Sequence, residues 1–490
     1  MLKKHFLTID LGTSALKVML YTSDFHVASK AVEETRTIYP KPNWAEQDQD
    51  QWWMITVSSI KKAVERAGVS PSQIAGIGCC GQMHGLNLVD KECRPLHRCL
   101  IWPDLRSIPQ AKVIRRDTGL DIHPYYTAAK LLWMLDNHPD VLDEAYKILL
   151  PKDFIRAKLS NTFCTDVSDA EGTQLFDRKE GTWNRKLVDF IGVPCEKLPD
   201  IYSSTAVVGK VSKEAAEEAG LLEGTPVIAG SGDDAIGVVQ QALNPVSSTL
   251  VYLGTAPAVL VYRSTREEGL EWPFLGGWLS AGGGAAIKWF KEEFGRVEEE
   301  AAEQAGADVY RLLDEEASKV EPGSGGLLFL PHMMGERSPP NPESKGVIFG
   351  MSLGHTRQQI YRAILEGITY HLRAILDSAK EFDSGIKVEN ALVFGGGAKS
   401  PLWREIIANV FGLPVYTLSE EETTTLKLAC LISVGIGLYK DFPEAAKQLD
   451  LSLVGRAEPR KEIHERYEEL YVSYRELDEK LFGHRKYLEW

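Results

Sequence analysis

FLTIDLGTSALKVMLY, residues 6–21, sets Phe6, Thr8 and Asp10 against Leu7, Ile9 and Leu11, turns at Gly12-Thr13-Ser14, and alternates again from Lys17 to Tyr21. Period-two patterning on both sides of a glycine turn predicts a β-hairpin with its tip at Gly12. Residues 248–262, STLVYLGTAPAVLVY, repeat the plan as strand, Leu253-Gly254-Thr255, strand. Strand and helix signals alternate after each hairpin. The first is followed by the helical QDQDQWWMITVSSIKKAVERAG and by the strand-bend-strand IAGIGCCGQMHGLNLVD. The second is followed by a long helix with Ile360, Ile364 and Ile368 four apart, and by ALVFGGGAKSPLWREIIANVFG. PYYTAAKLLWMLDNHP reads as a short helix ended by its proline, and EEFGRVEEEAAEQAGADVYRLLDEEASKV as a charged helical stretch. TPVIAGSGDDAIGVVQQAL reads as strand, glycine turn, helix. Together these predict an α/β fold made by duplication, with domains at residues 1–244 and 245–490 joined through QALNPVSST and closed by a charged helical tail.

A chain of 490 residues is too long for one hydrophobic core. Its net charge of −14 lacks the basic footprint of a nucleic-acid binder, so no nucleic-acid partner is expected. Any phosphate it holds must be gripped locally, by backbone N–H groups, a metal or a few cations. The seven cysteines (Cys79, Cys80, Cys93, Cys99, Cys164, Cys195 and Cys430) form no C-x-x-C pair, which favours reduced thiols over a disulfide framework or a structural zinc. MLKKHFLTID runs into the first strand without the apolar core of a leader, and no window of 18 apolar residues exists. The sequence therefore predicts a cytoplasmic protein with no membrane partner.

No GxxxxGKS/T is present and no GxGxxG follows the first strand, which argues against a P-loop or a dinucleotide fold. The chain offers instead a series of strand-glycine turns: Gly12-Thr13, Gly254-Thr255 and Gly395-Gly396-Gly397. Glycine lets backbone N–H groups approach an anion with no Cβ in the way. Two such hairpins facing each other across a cleft would grip a polyphosphate. Asp10 beside a phosphate cradle would repel its ligand unless a cation lay between, and Mg²⁺ takes one or two carboxylates plus phosphate oxygens. An Asp capping the turn fits the spacing equally well. Asp233 and Asp234 follow a glycine turn at a strand end, where open α/β sheets bind ligands; one could accept a proton from a hydroxyl while the other caps a helix.

The residues IDLGTSALK, GQMHGLNLVD, IWPDLRS, YYTAAKLLWML, TDVSDAEGTQLFD, GSGDDAIG, GGLLFLPHMMGERSPPNP, GVIFGMSLGHTR and FGGGAKSPLWREIIANV resemble, in order and over nearly the whole chain, the FGGY carbohydrate kinases. The likeness is greatest to members of the xylulokinase type. Each stretch alone is a weak signal; their succession is specific. The resemblance implies two ribonuclease-H-like domains of the actin/hexokinase/Hsp70 type, a cleft binding ATP and Mg²⁺, and sugar on the N-terminal domain. It implies Asp10 and Asp233 at the metal, with Asp233 also the catalytic base. Gly12, Thr13, Ser14 and Lys17 match the first phosphate loop, Gly254 and Thr255 the second, and Gly395, Gly396 and Gly397 the adenosine turn. Gln82, Met83 and His84 match the sugar-binding turn, with Trp102, Asp104, Arg106 and Asp234 near the sugar. Glu336 and Arg337 lie in a family signature, as hinge or as ligand contact. Family members are often dimers, so a homodimer is expected.

The chain departs from the family pattern at three places, of which the first two sit near the sugar and bear on the substrate. Trp102-Pro103-Asp104-Leu105-Arg106 stands where W-N-D-x-R is usual, Asp234 where Asn or Gln follows the catalytic Asp, and Lys427-Leu428 where a Gly-Ala pair is common. A second carboxylate beside Asp233 disfavours an anionic sugar such as gluconate, and a neutral ketose or polyol is easier to accommodate. The resemblance puts D-xylulose foremost, with ribulose or another ketopentose, glycerol and erythritol as the alternatives. Two other readings are a non-catalytic sugar or nucleotide sensor of the same fold and an ATPase acting on protein partners. The intact pair of Asp10 and Asp233 argues against the first. The short stretch after residue 440, with no room for a peptide-binding domain, argues against the second.

Overall fold

The computed structural model describes residues 5–233, 248–254, 257–262, 274–279, 282–337, 340–341, 343–384, 386–418 and 423–483. The chain divides into two compact units. One comprises Met1–Ala242 with Glu422–Leu449; the other comprises Leu243–Glu421 with Asp450–Trp490. A single division at residue 244 misses the second crossing: residues 422–449 leave the C-terminal half and pack in the first unit.

In the first unit, strands β1 (His5–Leu11), β2 (Ala15–Thr22) and β3 (Val27–Glu34) form an antiparallel meander. The hairpin expected at Gly12 is present: Leu11 pairs with Leu16, Asp10 with Lys17, and the Gly12 amide donates to the Ala15 carbonyl at 3.0 Å. Helix α1 (Gln49–Ala67) is started by Asp48, whose side chain accepts from the Asp50 and Gln51 amides, and is stopped by Gly68 in the left-handed region. Strand β4 (Ile74–Gly81) then runs parallel to β1. Helices α2 (Thr127–Asn137), α3 (Pro151–Ser160) and α4 (Val167–Glu171) follow, then β5 (Val207–Lys210), β6 (Pro226–Ile228) and β7 (Ser231–Gly232). The sheet order is β5-β6-β4-β1-β2-β3, with β7 also pairing β4. Pro139 does not simply stop α2; it opens a further helix, Pro139–Glu144, at the position where its missing N–H costs nothing.

Leu7, Ile9, Val18 and Leu20 bury against Trp52, Ile60 and Ala63 of α1 and Phe154 and Ile155 of α3. The returning helix Thr423–Gly435 packs on β1 and β4. Gly76 and Gly78 permit the approach to β4, because a Cβ on either would lie 2.7–2.9 Å from Ile432 or Leu428.

The second unit repeats the pattern. Strands β8 (Ser248–Tyr252), β9 (Ala258–Tyr262) and β10 (Phe274–Leu279) form an antiparallel meander. Helix α5 (Arg357–Phe382) precedes β11 (Asn390–Phe394), α6 (Pro401–Phe411), β12 (Val415–Leu418), β13 (Leu453–Ala457) and helix α7 (Lys461–Phe482). The order is β10-β9-β8-β11-β12-β13. Both sheets thus have an antiparallel meander, then two parallel strands, then an antiparallel edge. The duplication inferred from two hairpins extends to the whole sheet. The charged stretch after β10 is three helices, Gly283–Phe294, Arg296–Ala305 and Val309–Ser318, separated at Gly295 and at Gly306. The tail helix α7 buries Tyr467, Tyr471, Tyr474 and Asp478 on its own unit.

Candidate active site

Three parallel strand ends build the site in the first unit. Asp10 of β1 stands opposite Cys80 of β4; on the other side of β4, Ser231 stands opposite Cys80 and Gly232 opposite Gly81. Asp10 and Asp233 therefore flank β4 at the carboxyl edge of the sheet, where open α/β sheets bind ligands. Asp10 is 7% exposed, whereas Asp233 is open to solvent. The Cys80 thiol is pushed well above its ordinary range, by burial first and then by the negative charges of Asp10 and Asp233, with Lys427 pulling the other way. Lys427 belongs to the returning helix, whose Thr424 hydroxyl donates to the Asp233 carbonyl at 3.2 Å. Two oxygen-only ligands at strand ends on either side of β4, one buried and one open, fit Mg²⁺, a hard cation that keeps waters or phosphate oxygens beside one or two carboxylates.

The bend after β4 carries Gln82, Met83 and His84 to the same edge. Gln82 is buried; its Nε2 donates to Gln47 Oε1 at 2.7 Å and its Oε1 accepts from the Thr13 hydroxyl at 3.3 Å. Trp102 Nε1 donates to the same Thr13 Oγ1 at 2.7 Å, and Gln47 Nε2 donates to the Thr13 carbonyl at 2.8 Å. Thr13 thus joins the hairpin turn to the bend. Gln47 is a residue that sequence reading missed; in QDQDQWW it reads as the start of a helix. Met83 fills the space a Cβ would take on Gly172 and on Gly232, which seats the bend against the loop leading to Asp233. His84 adopts φ 66°, and its Nδ1 lies 2.5 Å from the Gly172 carbonyl, which places the proton on Nδ1. The fully buried Lys130, in the TAAKLLWML stretch, donates to the His84 carbonyl at 2.9 Å and the Tyr125 carbonyl at 2.7 Å, fixing this strained residue.

Asp104 and Arg106 lie behind the site rather than on it. Asp104 is fully buried and accepts from the Ala45 amide at 2.6 Å and from Arg106 Nε at 2.9 Å on each oxygen. Arg106 Nη2 also donates to Glu46 at 2.8 Å, and its guanidinium lies 3.7 Å from the Trp44 ring centroid. With these polar groups spent on one another, the expectation of direct sugar contact gives way to a wall-building role. Ser14 is exposed at the hairpin tip and Lys17 is half-buried on β2. Asp234 lies outside the described residues.

In the second unit the hairpin tip and the glycine turn meet. Leu253, next to Gly254, accepts at its carbonyl from the Gly397 amide at 2.9 Å, and its own amide donates to the Phe394 carbonyl at 2.8 Å. Gly395 adopts φ 92° and Gly396 is open on its Cβ side. Thr255 lies outside the described residues. Glu336 is buried with His332 and His371: His332 Nδ1 lies 2.7 Å from Glu336 Oε2, and His332 Nε2 lies 2.9 Å from Asp478 Oδ1. An imidazole whose two nitrogens both face carboxylates carries both protons and is a cation, not a metal ligand.

Family models for two domains match the chain in succession. The N-terminal domain model of the FGGY family of carbohydrate kinases matches residues 5–240, and the C-terminal domain model matches residues 271–432. A xylulose kinase of Bacillus subtilis (strain 168) is 29% identical, spanning 99% of this chain and 100% of its own. A gluconokinase of Bacillus licheniformis is 28% identical, spanning 89% and 87%. The crystal structure of ligand-bound xylulose kinase from Lactobacillus acidophilus matches with a TM-score of 0.82 at 24% identity, over 98% of this chain and 99% of its own, a likeness of fold. With both domain models matched in order over most of its length, the chain belongs to the FGGY family of carbohydrate kinases.

Proposed function

We propose that this kinase transfers the γ-phosphoryl of ATP to a terminal hydroxyl of a neutral ketose, converting D-xylulose to D-xylulose 5-phosphate. The observation that carries the reading is the pair of carboxylates, Asp10 and Asp233, at the ends of β1 and β7 on either side of β4. Asp233, open to solvent beside the Met83-His84 bend, orients the hydroxyl and takes its proton. An ordinary aspartate, with a pKa of about 3.9, is a weak base toward a ground-state alcohol, so the proton moves late, as the P–O bond forms. Mg²⁺ held through Asp10 and Asp233 supplies neutralisation of phosphate charge when bound. The turn at Gly12, Thr13 and Ser14, with Lys17, is assigned to the phosphates, and Gly254, Gly395, Gly396 and Gly397 to the nucleotide. His84, held by Gly172 and Lys130, is assigned to a sugar hydroxyl.

A full-length xylulose kinase relative supports the ketose. The gluconokinase relative supplies the second reading, a sugar acid. The adjacent carboxylates of Asp233 and Asp234 favour the neutral sugar, because an anionic substrate would meet like charge. The test is ADP release against D-xylulose, ribulose, glycerol, erythritol and gluconate, in parallel with Asp233→Ala. D-xylulose should stimulate turnover most, and Asp233→Ala should lower kcat by about 10²- to 10⁴-fold. Preference for gluconate would overturn the substrate; full sugar-dependent turnover in Asp233→Ala would overturn the mechanism.

A further inference from the structure

Behind the loop that delivers Asp233 lies a cluster of ionic side chains that no step of the reaction uses. Lys152, Asp153 and Arg156 of α3, with Asp166 and Asp169 around α4, are all fully buried. Lys152 Nζ lies 2.6 Å from Asp153 Oδ1, 2.9 Å from Asp166 Oδ1 and 3.1 Å from Asp169 Oδ2. Arg156 Nη1 lies 2.8 Å from Asp153 Oδ1, and its Nη2 donates to the Cys164 carbonyl. Taking five ionic groups out of water is costly, and a well-packed apolar cluster of similar volume generally costs less. Stability alone is a poor reason for this cluster.

Its connections give a better one. Arg156 Nη1 donates to the Ala229 carbonyl at 2.8 Å. Asp166 Oδ2 accepts from the Ser168 amide at 3.0 Å, the Ser168 hydroxyl at 2.6 Å and the Ser204 hydroxyl at 2.8 Å. Ser168 Oγ in turn accepts from the Gly232 amide at 3.0 Å. The cluster therefore holds residues 229–232 at both ends, immediately before Asp233. Between the two ties Gly230 adopts φ 81°, where a Cβ would lie 1.9 Å from the Cys79 carbonyl oxygen. Burial pushes the Asp166 carboxyl up, but Lys152 and the two serine hydroxyls outweigh it and hold it below its ordinary range, so Asp166 is the anion that orders Ser168. Asp169 differs: burial pushes it up, Lys152 pulls it down, and the charges of Asp166 and Asp153 bring it to about 7. With its proton on, two cations balance two anions.

We propose that Lys152, Asp166 and Ser168 form a positioning relay, in which a buried ionic cluster fixes the Gly232 amide and through it the aim of the Asp233 carboxylate at the acceptor hydroxyl. The proposal rests on the reading of Asp233 as the base. None of the three touches substrate; they act through the backbone. Ser168→Ala removes the oxygen that links Asp166 to the Gly232 amide, and Ser168→Thr restores it.

The test measures kcat, KM and thermal unfolding for Ser168→Ala, Ser168→Thr, Asp233→Ala and the double variant Ser168→Ala/Asp233→Ala. A misplaced reacting group is costly, so Ser168→Ala should lower kcat about tenfold with KM for sugar and ATP within about twofold. Ser168→Thr should recover most of the loss. In the Asp233→Ala background the serine change should cost less than about twofold, since the group it aims is gone. Wild-type kcat in Ser168→Ala, a full tenfold loss persisting in the double variant, or no recovery with threonine would overturn the relay. Full turnover in Asp233→Ala would overturn the base, and the relay with it, whatever Ser168 does.

Discussion

Replacing His332 by Gln should alter stability by an amount that depends on pH, and the geometry sets its size. His332 lies between Glu336 and Asp478 at 2.7 and 2.9 Å, and all three are fully buried. Burial alone would lower the imidazole pKa; the hydrogen bonds and charges of the two carboxylates outweigh it and raise it to about 9 from 6.5. A rise of roughly 2.5 units at about 1.36 kcal/mol each corresponds to about 3 kcal/mol. The folded-state pKa lies above the unfolded one, so this stability is fully present below about pH 6.5 and is lost as pH climbs through about 9. Glu336 does not interfere in that window. Burial pushes its carboxyl up, but His371 and His332 hold it well below its ordinary range, so its contribution fades only in acid.

The His332→Gln variant would take the imidazolium from the buried Asp478 and leave Glu336 with His371 alone, which costs about 3–5 kcal/mol near pH 6. By about pH 10 the wild type has also lost its imidazolium, and the gap should narrow by about 3 kcal/mol. Urea unfolding of both proteins by tryptophan fluorescence gives the gap at each pH, and an NMR titration of the ring gives the pKa directly. A gap that stays constant from pH 6 to 10, or a ring titrating near 6.5, would refute the reasoning.

Other outcomes follow from the same contacts. Arg106→Met strips the cation from Asp104 and Glu46 and should lower stability by about 3–5 kcal/mol in thermal unfolding; an unchanged Tm would return these residues to the list of ligand contacts. Gly230→Ala must find room for a Cβ now 1.9 Å from the Cys79 oxygen, and should cost more than about 4 kcal/mol or fail to fold, read by soluble yield and Tm. Of the seven thiols, only Cys195 is not buried, and burial pushes Cys79 and Cys93 up to about 12. A disulfide reagent should therefore titrate one thiol quickly in the native protein and all seven in denaturant. Two or more fast native thiols would contradict that burial.

The hairpins were legible because their signal is local. Alternation and a glycine turn within sixteen residues specify β1 and β2, and the same reading one half later specifies β8 and β9. Asp10 stands at a strand end that the sequence marks, whereas Gln82 was nominated only by its likeness to the family's sugar-binding turn. The returning helix was not legible. TTTLKLACLI reads as an apolar helix wherever it packs, and only the fold shows that Leu428 and Ile432 need Gly76 and Gly78 opposite them. Thr424 and Asp233 are 191 residues apart in the chain and hydrogen-bonded in the fold. No periodicity reports a contact of that span.

Asp104 and Arg106 illustrate a different limit. The family resemblance nominates this pair as near the sugar, and residue type offers no counter-argument. What decides is whether the polar atoms already have partners. Asp104 has Ala45 and Arg106; Arg106 has Asp104, Glu46 and the Trp44 face. Ser168 inverts the case: a small hydroxyl inside TDVSDAEG has no individual signal, yet it is the link between Asp166 and the Gly232 amide. Site residues that act on a ligand are chosen by chemical type, so sequence can nominate them. Residues that aim other residues are chosen by where their one hydrogen bond ends, and that is fixed only when α4 is brought against β7.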